Sequence, residues 1–181
     1  RYPEVLTMEE QSADEDDLWS DLSQAIREAC TQFVATRTTE GEHLKQDLVE
    51  KLHHMRDNVD KVEQRAPQII AEYRSKLMEK VNELLGDTQI DEARLSTEIV
   101  LFADKICTDE ETVRLKSHIT SMLNALERSE GIGRKLDFIA QEMNREANTI
   151  LSKSNDLETS DIAIELKTEI EKVREQIQNI E

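Results

Sequence analysis

Residues 44–84 of the chain read LKQDLVEKLHHMRDNVDKVEQRAPQIIAEYRSKLMEKVNEL, with an apolar residue at every third or fourth position. These apolar positions are Leu44, Leu48, Leu52, Met55, Val59, Val62, Ala66, Ile69, Tyr73, Leu77, Val81 and Leu84. This spacing predicts an α-helix, and its persistence predicts either one very long helix or a coiled-coil-like hairpin. Pro67 lacks an amide hydrogen and clashes with the preceding turn, so we expect a kink or break beside Ala66.

Helical periodicity also occurs on either side of this stretch. Upstream, the acidic run at 14–17 places negative charge where a helix N-terminus favours it. Downstream, Thr108 and Glu111 have the spacing of a capping box, and Gly133 precedes another periodic segment. A last helix is expected from about Ser160. The sequence therefore predicts an all-α fold, an elongated bundle of about five helices of which one or two are very long.

Composition and charge restrict the class of protein. The chain has 181 residues, with 23 Lys and Arg against 40 Asp and Glu, which gives a net charge of −17. Only 3% of residues are aromatic, with four Gly and two Pro, so an all-β fold is excluded. Such acidity argues against sequence-independent coating of nucleic acid, but it leaves open an acidic cluster that engages a polyanion through bound cations.

The chain begins with Arg1 rather than Met, and we expect it to be a piece of a longer protein. Residues 1–12 are interpreted as the tail of an upstream domain, with one possible short strand at 2–9, and residues 13–181 as the helical domain. No apolar run approaches the roughly 20 residues of a membrane span. Cys30 and Cys107 have no CxxC partner, so we expect two buried thiols in a reducing cytoplasm.

The segment 133–154 is the most informative for chemistry. Glu142 and Glu146 are four residues apart, so their carboxylates lie on one helix face, which suits two ligands of one hard cation. A second polar ridge consists of Asp137, Gln141, Asn144 and Asn148. Spacing alone favours a plainer interpretation, a solvent-facing helix with ion pairs such as one between Glu142 and Arg145.

His118 is a further candidate, since it falls near one face with Glu111 and Arg114. A neutral imidazole beside carboxylates can bind a metal or move a proton, although a lone histidine is more often a surface or interhelical residue. Glu98 joins the same cluster if the second, third and fourth helices pack together. Its plainer interpretation is an ion pair with Arg94.

The strings GRKLDFIAQEMNREANTILSKS (133–154) and ELKTEIEKVREQIQNIE (165–181) resemble the C-terminal half of the bacterial YicC/YloC family. Further matches are Glu40-Gly41, Glu110-Glu111, Arg114-Leu115 and His118, so the resemblance covers practically the whole chain. It implies a divalent-cation-dependent endoribonuclease acting on single-stranded or loop RNA. It also implies a ring-like homo-oligomer, expected to be a hexamer.

The resemblance also implies roles for particular residues. Its acidic and histidine positions fall on Glu98, Glu110, Glu111, His118, Glu142 and Glu146. Of these, His118, Glu142 and Glu146 are expected to be catalytic, and Glu98, Glu111, His118, Glu142 and Glu146 to hold Mg²⁺ or Mn²⁺. The expected RNA contacts are Arg134, Lys135, Arg145 and Lys153, supported by the polar ridge. Cys107 stands where family members usually have Asp, which weakens one expected ligand.

Two alternatives stay open at this level. The attacking nucleophile is either a metal-bound water or the 2′-hydroxyl of the substrate with His118 as base. The rival class of protein is a non-enzymatic helical oligomer or adaptor that modulates RNA turnover or a stress response. The apolar stripe at 44–84 fits both classes, because such a helix cannot bury its apolar face alone.

Overall fold

The computed structural model describes residues 14–85, 91–128, 133–178 and 180. Within these residues the chain forms five α-helices and no strand, which confirms the all-α prediction. The helices are α1 (Glu15–Leu85), α2 (Glu92–Ile106), α3 (Asp109–Leu126), α4 (Gly133–Lys153) and α5 (Leu157–Ile177). The expected strand at 2–9 and tail at 1–12 lie outside the described residues. The last helix begins three residues before the expected Ser160.

Helix α1 is continuous through both Gly41 and Pro67. Of the kink or break expected beside Ala66, the break is therefore wrong, and the kink stays a prediction. A proline inside a helix costs about 3 kcal/mol through its missing hydrogen bond and its clash with the preceding turn. The turn just before it is held by tertiary contacts that offset this cost, because Val62 is buried and Arg65 binds the start of α5.

The chain divides into two compact units, Arg1–His43 and Leu44–Glu181. In the first unit the described residues form the beginning of α1, and its large apolar side chains are exposed. Trp19 is 66% exposed and Phe33 61%, with Leu18, Leu22, Ile26 and Val34 at least half exposed. Cys30 is exposed here, and Cys107 is exposed in the second unit, so the expectation that both thiols are buried is wrong.

The second unit has one hydrophobic core. Helix α4 packs along both α3 and α5, and the α1 segment between Leu48 and Val62 closes the core. The fully buried large side chains are Leu48, Leu52, Met55, Val59, Leu115, Ile119, Met122, Leu136, Met143, Ile150, Leu166 and Ile170. In α1 the predicted apolar stripe marks the buried face from Leu48 to Val62, whereas Leu84 at its far end is 74% exposed.

One amide lies inside the buried face of α1. Asn58 is fully buried, between Met55 and Val59 in the sequence. Its Oδ1 accepts a hydrogen bond from Lys61 Nζ at 2.9 Å. Its Nδ2 has no hydrogen-bond partner among the described residues, which makes the amide energetically costly where it lies.

Charged side chains tie the helices together around this core. Lys116 of α3 donates to Glu63 of α1 at 2.7 Å, and Arg174 of α5 donates to Asp137 of α4 at 3.0 Å. The aromatic ring of Tyr73 on α1 stacks on Phe102 of α2, with 3.6 Å between centroids. No helix within the described residues is long and apolar enough to cross a membrane.

Arg65 and Asp156 make the most elaborate of these ties. Arg65 donates through Nη2 and Nε to the two carboxylate oxygens of Asp156, at 2.9 and 3.2 Å, and it also binds Glu72. Asp156 is the N-cap of α5, since it accepts from the amide of Thr159 at 3.1 Å. The hydrogen bonds from Arg65 lower the pKa of the Asp156 carboxyl below its ordinary value.

A glycine substitution tests the packing at the start of α4. A Cβ on Gly133 would lie 2.8 Å from the backbone oxygen of Ile180. Because backbone cannot move aside cheaply, we expect Gly133→Ala to destabilise the fold by roughly 1–3 kcal/mol in urea unfolding. Gly41→Ala is the matched control, since nothing lies within 4 Å of its Cβ position and it is inside a helix. It should stabilise by roughly 0.5–1 kcal/mol, and equal effects at both sites would contradict this packing.

Acid titration tests the Arg65–Asp156 tie. A carboxyl whose pKa is lowered on folding adds stability above its unfolded pKa and loses that contribution as pH falls through the folded pKa. Asp156→Asn keeps a good N-cap residue but removes the charge. We expect the variant to unfold a few degrees below the parent at pH 7, and the gap to close as the pH falls below about 4, the ordinary pKa of an Asp carboxyl. A gap independent of pH would show that the charge contributes nothing.

Candidate functional site

Helices α3 and α4 are antiparallel neighbours, and three of the predicted site residues, Glu111, Glu146 and Lys153, make contacts between them. At one end, Lys153 Nζ donates to the carbonyl of Cys107 at 3.0 Å and to Glu111 at 2.8 Å. Further along α3, Arg114 Nη1 lies 3.9 Å from Glu146 Oε1. As the residue number increases along α3, the number of the residue it contacts on α4 decreases, so the two helices are antiparallel. From this register and the pitch of a helix we expect His118 to lie level with Glu142.

The two glutamates of α4 lie on one edge, as their spacing predicts. The Glu142 side chain is 22% exposed and accepts a hydrogen bond from Arg145 Nη1 at 2.7 Å. The plainer interpretation of this spacing, an ion pair with Arg145, is therefore also correct for Glu142. Glu146 is only 9% exposed, and Arg114 is the cation paired with it within the described chain.

Glu111 is buried at the first turn of α3, where it binds Lys153. Thr108 does occupy the N-cap, but its side chain makes no capping hydrogen bond. The expected capping box is therefore wrong, because Glu111 points to α4 instead of back to the cap. The hydrogen bond that Lys153 donates to Glu111 raises the pKa of Lys153 above its ordinary value. The second oxygen, Oε2, is buried with no hydrogen-bond partner in the part of the chain described.

Two other predicted residues of α3 differ in their surroundings. Glu110 is exposed and pairs with Arg114, four residues further along the same helix. His118 is half-buried, and it makes no hydrogen bond or ion pair with any residue in the described ranges. Its imidazole is therefore available to a substrate or an ion.

Glu98 lies apart from these residues. It is exposed on α2 and accepts a long hydrogen bond, 3.4 Å, from the Tyr73 hydroxyl of α1. Desolvation and the nearby Glu98 charge raise the pKa of Tyr73. The plainer interpretation assigned Glu98 an ion pair with Arg94. Within the described chain that pair does not form, and the partner of Glu98 is the hydroxyl of Tyr73. Glu98 therefore lies beside α1, whereas the other predicted glutamates lie on α3 (Glu110 and Glu111) and α4 (Glu142 and Glu146).

The polar ridge of α4 is partly used for packing. Gln141 donates to Asp137 at 2.7 Å, and Asp137 also accepts from Arg174 of α5. Asn144 is half-buried and Asn148 is exposed, with no hydrogen bond to either side chain in the described ranges. Only the second half of the ridge is free to contact a ligand.

The predicted RNA-binding cations fall into two groups. Arg134 and Lys135 are exposed in the first turn of α4 and have no ion-pair partner among the residues described. Arg145 is 73% exposed but pairs with Glu142, and Lys153 is held by Glu111. Sequence spacing missed the Lys153 contact, because it depends on the register of two helices rather than on one helix face.

The donor set has the chemistry of a site for a hard divalent cation, although the described residues do not complete one. Carboxylate oxygens are the ligands that Mg²⁺ and Mn²⁺ prefer, and the unpartnered buried oxygen of Glu111 is a donor of this type. Within the described residues, however, no three His, Cys, Asp or Glu side chains come close enough to hold one ion. Each carboxylate of the edge is paired with Lys or Arg instead.

Comparison with known proteins relates this chain to one family. Residues 62–181 match the family described as endoribonuclease YicC-like, C-terminal, and residues 1–46 match its N-terminal region. The chain is 42% identical over its full length to a probable endoribonuclease YicC of Clostridioides difficile. It is 38% identical to a protein of the same description from Haemophilus influenzae. The chain spans 62% of the length of each relative.

The Lys153–Glu111 pair yields a stability test. We expect Lys153→Met to destabilise the fold by roughly 1–3 kcal/mol in urea unfolding, because it leaves a buried carboxylate without its donor. Adding Glu111→Gln should recover part of this loss, since the buried charge is then removed. Lys172→Met removes the lysine of an exposed pair with Glu169 and should change little. An additive double mutant would contradict the coupling.

Proposed function

Because the chain belongs to the YicC-like endoribonuclease family, we propose that it is part of a divalent-metal-dependent endoribonuclease that cleaves single-stranded or loop RNA. The family assignment supports RNA phosphodiester cleavage in general. Metal dependence, the form of RNA and the working assembly are our proposals for the whole protein, of which the chain spans a part.

One observation carries this proposal. The Glu111 carboxylate has one oxygen, Oε2, that is buried without a hydrogen-bond partner in the described chain, and on the neighbouring helix the Glu146 side chain is 12% exposed and accepts no hydrogen bond from the described residues. Burying a carboxylate without close partners is costly, so such a group is usually kept for a charged ligand. The register of α3 and α4 adds His118, a group that can exchange a proton near neutral pH.

We assign each side chain of the edge a role in cleavage. Glu142, Glu146 and Glu111 would hold Mg²⁺ or Mn²⁺ with His118, and Glu98 is the further carboxylate expected from the family. A bound divalent ion supplies polarisation of the scissile phosphate and acidification of water. His118 would take the proton of the attacking oxygen, which belongs either to water or to the 2′-hydroxyl of the substrate. Arg145 would orient a phosphate oxygen by a charge-assisted hydrogen bond.

Binding of RNA by so acidic a chain requires a local basic surface. Arg134 and Lys135 are exposed side by side at the start of α4, where the helix dipole also favours an anion. Asn144 and Asn148 would donate to sugar or base groups further along the edge. We also propose that the protein works in the cytoplasm, where its RNA substrates and its two free cysteines would both be expected.

The exposed apolar side chains at the beginning of α1 support self-association. Leu18, Leu22, Ile26 and Phe33 recur at intervals of four and seven residues, and each is at least half exposed. A second copy of the chain would remove them from water, as expected for the homo-oligomeric ring implied by the family resemblance. A hexamer is the assembly we propose.

A non-enzymatic adaptor is the second candidate, and one observation favours it. The carboxylates Glu110, Glu111 and Glu142 are each paired with a cation of the same chain. Ion pairs of this kind stabilise a helical oligomer without any catalytic role. Such a protein would modulate other nucleases rather than cut RNA.

Cleavage of a short fluorescent RNA separates the two candidates. With Mn²⁺ we expect cutting by the full-length protein, its loss on adding EDTA, and a loss of about 100-fold or more in Glu142→Gln/Glu146→Gln. Removing both carboxylates takes away the negative charge that would hold the ion. The measurement is the initial rate of product formation on a denaturing gel.

A matched variant controls for charge and folding. Glu169→Gln/Glu175→Gln changes the net charge equally on α5, outside the α3–α4 edge, and should retain the parent rate. Cutting that survives both EDTA and the Glu142/Glu146 substitutions would be due to a contaminant. No cutting by full-length protein would favour the adaptor.

A further inference from the structure

The beginning of α1 carries a second strip of exposed side chains beside the apolar residues proposed for self-association. Trp19 is 66% exposed and Val34 is 61% exposed, and Cys30 between them is exposed as well. We call these three residues the Trp19 strip. Exposed large apolar side chains that share one face of a helix usually mark a surface that another part of a protein covers.

The combined apolar face is wider than one partner helix needs. At 3.6 residues per turn, the residues proposed for self-association span roughly 80° of the helix surface, and the Trp19 strip extends this face to roughly 160°. A coiled-coil contact uses a narrow seam, whereas a helix that packs into the core of a globular domain has an apolar face of about 100° or more. The width therefore indicates that the beginning of α1 belongs to a domain core as well as to a contact between copies.

The family match indicates which domain this is. Residues 1–46 match the N-terminal region of the family, and this match ends close to His43, the last residue of the first compact unit. In the described part of that region, residues 14–46, the chain forms a single helix, which cannot bury an apolar face by itself. The chain spans 62% of the length of each relative, so the relatives have residues that the chain lacks.

We infer that the Trp19 strip is the docking surface for the rest of the N-terminal region of the same polypeptide, the part by which the relatives are longer. The indole of Trp19 is the anchor of this contact, because tryptophan is among the residues that most often dominate the binding energy of an interface. Val34 extends the contact by roughly four helical turns. The neighbouring apolar residues remain available to a second copy, and the inference does not depend on metal binding or RNA cleavage.

Thiol labelling of the full-length protein tests this inference, with two cysteines as reporters. Cys30 lies within the Trp19 strip, and Cys107 lies in the second compact unit, and both are exposed in the chain described here. In the native full-length protein we expect a maleimide to label Cys30 about ten-fold or more slowly than Cys107, because Cys30 then reacts only when the docked region opens. Peptide mass spectrometry gives both rates, and each is divided by the rate of the same thiol in urea to remove differences in intrinsic reactivity.

Two pairs of substitutions separate this contact from self-association. The strip variant, Trp19→Asp/Val34→Asp, should abolish the protection of Cys30 while the mass measured by light scattering stays that of the parent. The matched variant, Leu18→Asp/Leu22→Asp, makes the same change of charge on the residues proposed for self-association. It should lower the mass and leave Cys30 protected. Thermal unfolding of both variants confirms that the helical bundle is retained.

The outcomes distinguish the possible covers of the Trp19 strip. Equal labelling of Cys30 and Cys107 in the native full-length parent overturns the inference. Protection of Cys30 that is lost in the matched variant also overturns it, because a second copy is then the cover. Protection that survives in the strip variant overturns the docking role of Trp19 and Val34. An unchanged mass of the matched variant counts against the proposed self-association and leaves this inference standing.

Discussion

The structure depends on removing one apolar seam of α1 from water. Leu48, Leu52, Met55, Val59 and Val62 are almost completely buried, and they are covered only because α3, α4 and α5 lie against them. A single amphipathic helix of this kind is not stable alone, since its stability comes from tertiary burial of one face. Helix α4 is central to that burial because it packs along both of its neighbours. The same packing fixes the register by which the acidic residues of α3 and α4 meet.

Much of this architecture could be predicted from the sequence. The period of the apolar residues identified the helices and the core, because burial of a helix face leaves a spacing of three and four. The continuity of α1 through Pro67 could not be predicted in this way. Whether a proline ends a helix depends on what holds the adjacent turns, and Arg65 is anchored by a residue far away in the sequence, Asp156. Exposure of Cys30 was missed for a similar reason, since an apolar period does not show whether a partner covers it.

The candidate site was predictable only within single helices. Spacing placed Glu142 with Glu146 and with Arg145, because residues three or four apart share a face. The contacts between helices, Arg114 with Glu146 and Lys153 with Glu111, required the register of α3 against α4. Glu98 shows the limit most clearly. Its neighbour is Tyr73 of α1, and no pattern within α2 indicates that contact.

The contacts of Asn58 show what does and does not fix the position of α1 in the bundle. A seam made only of Leu, Met and Val would tolerate sliding by one helical turn, because such residues replace one another at little cost. Asn58 does not remove this freedom, because Lys61 lies on the same helix and its hydrogen bond to the amide oxygen would move with α1. The amide nitrogen has no partner among the described residues in the present alignment, so the group lowers stability without favouring that alignment. The alignment of the long helix therefore depends on contacts with other helices, such as that of Lys116 on α3 with Glu63.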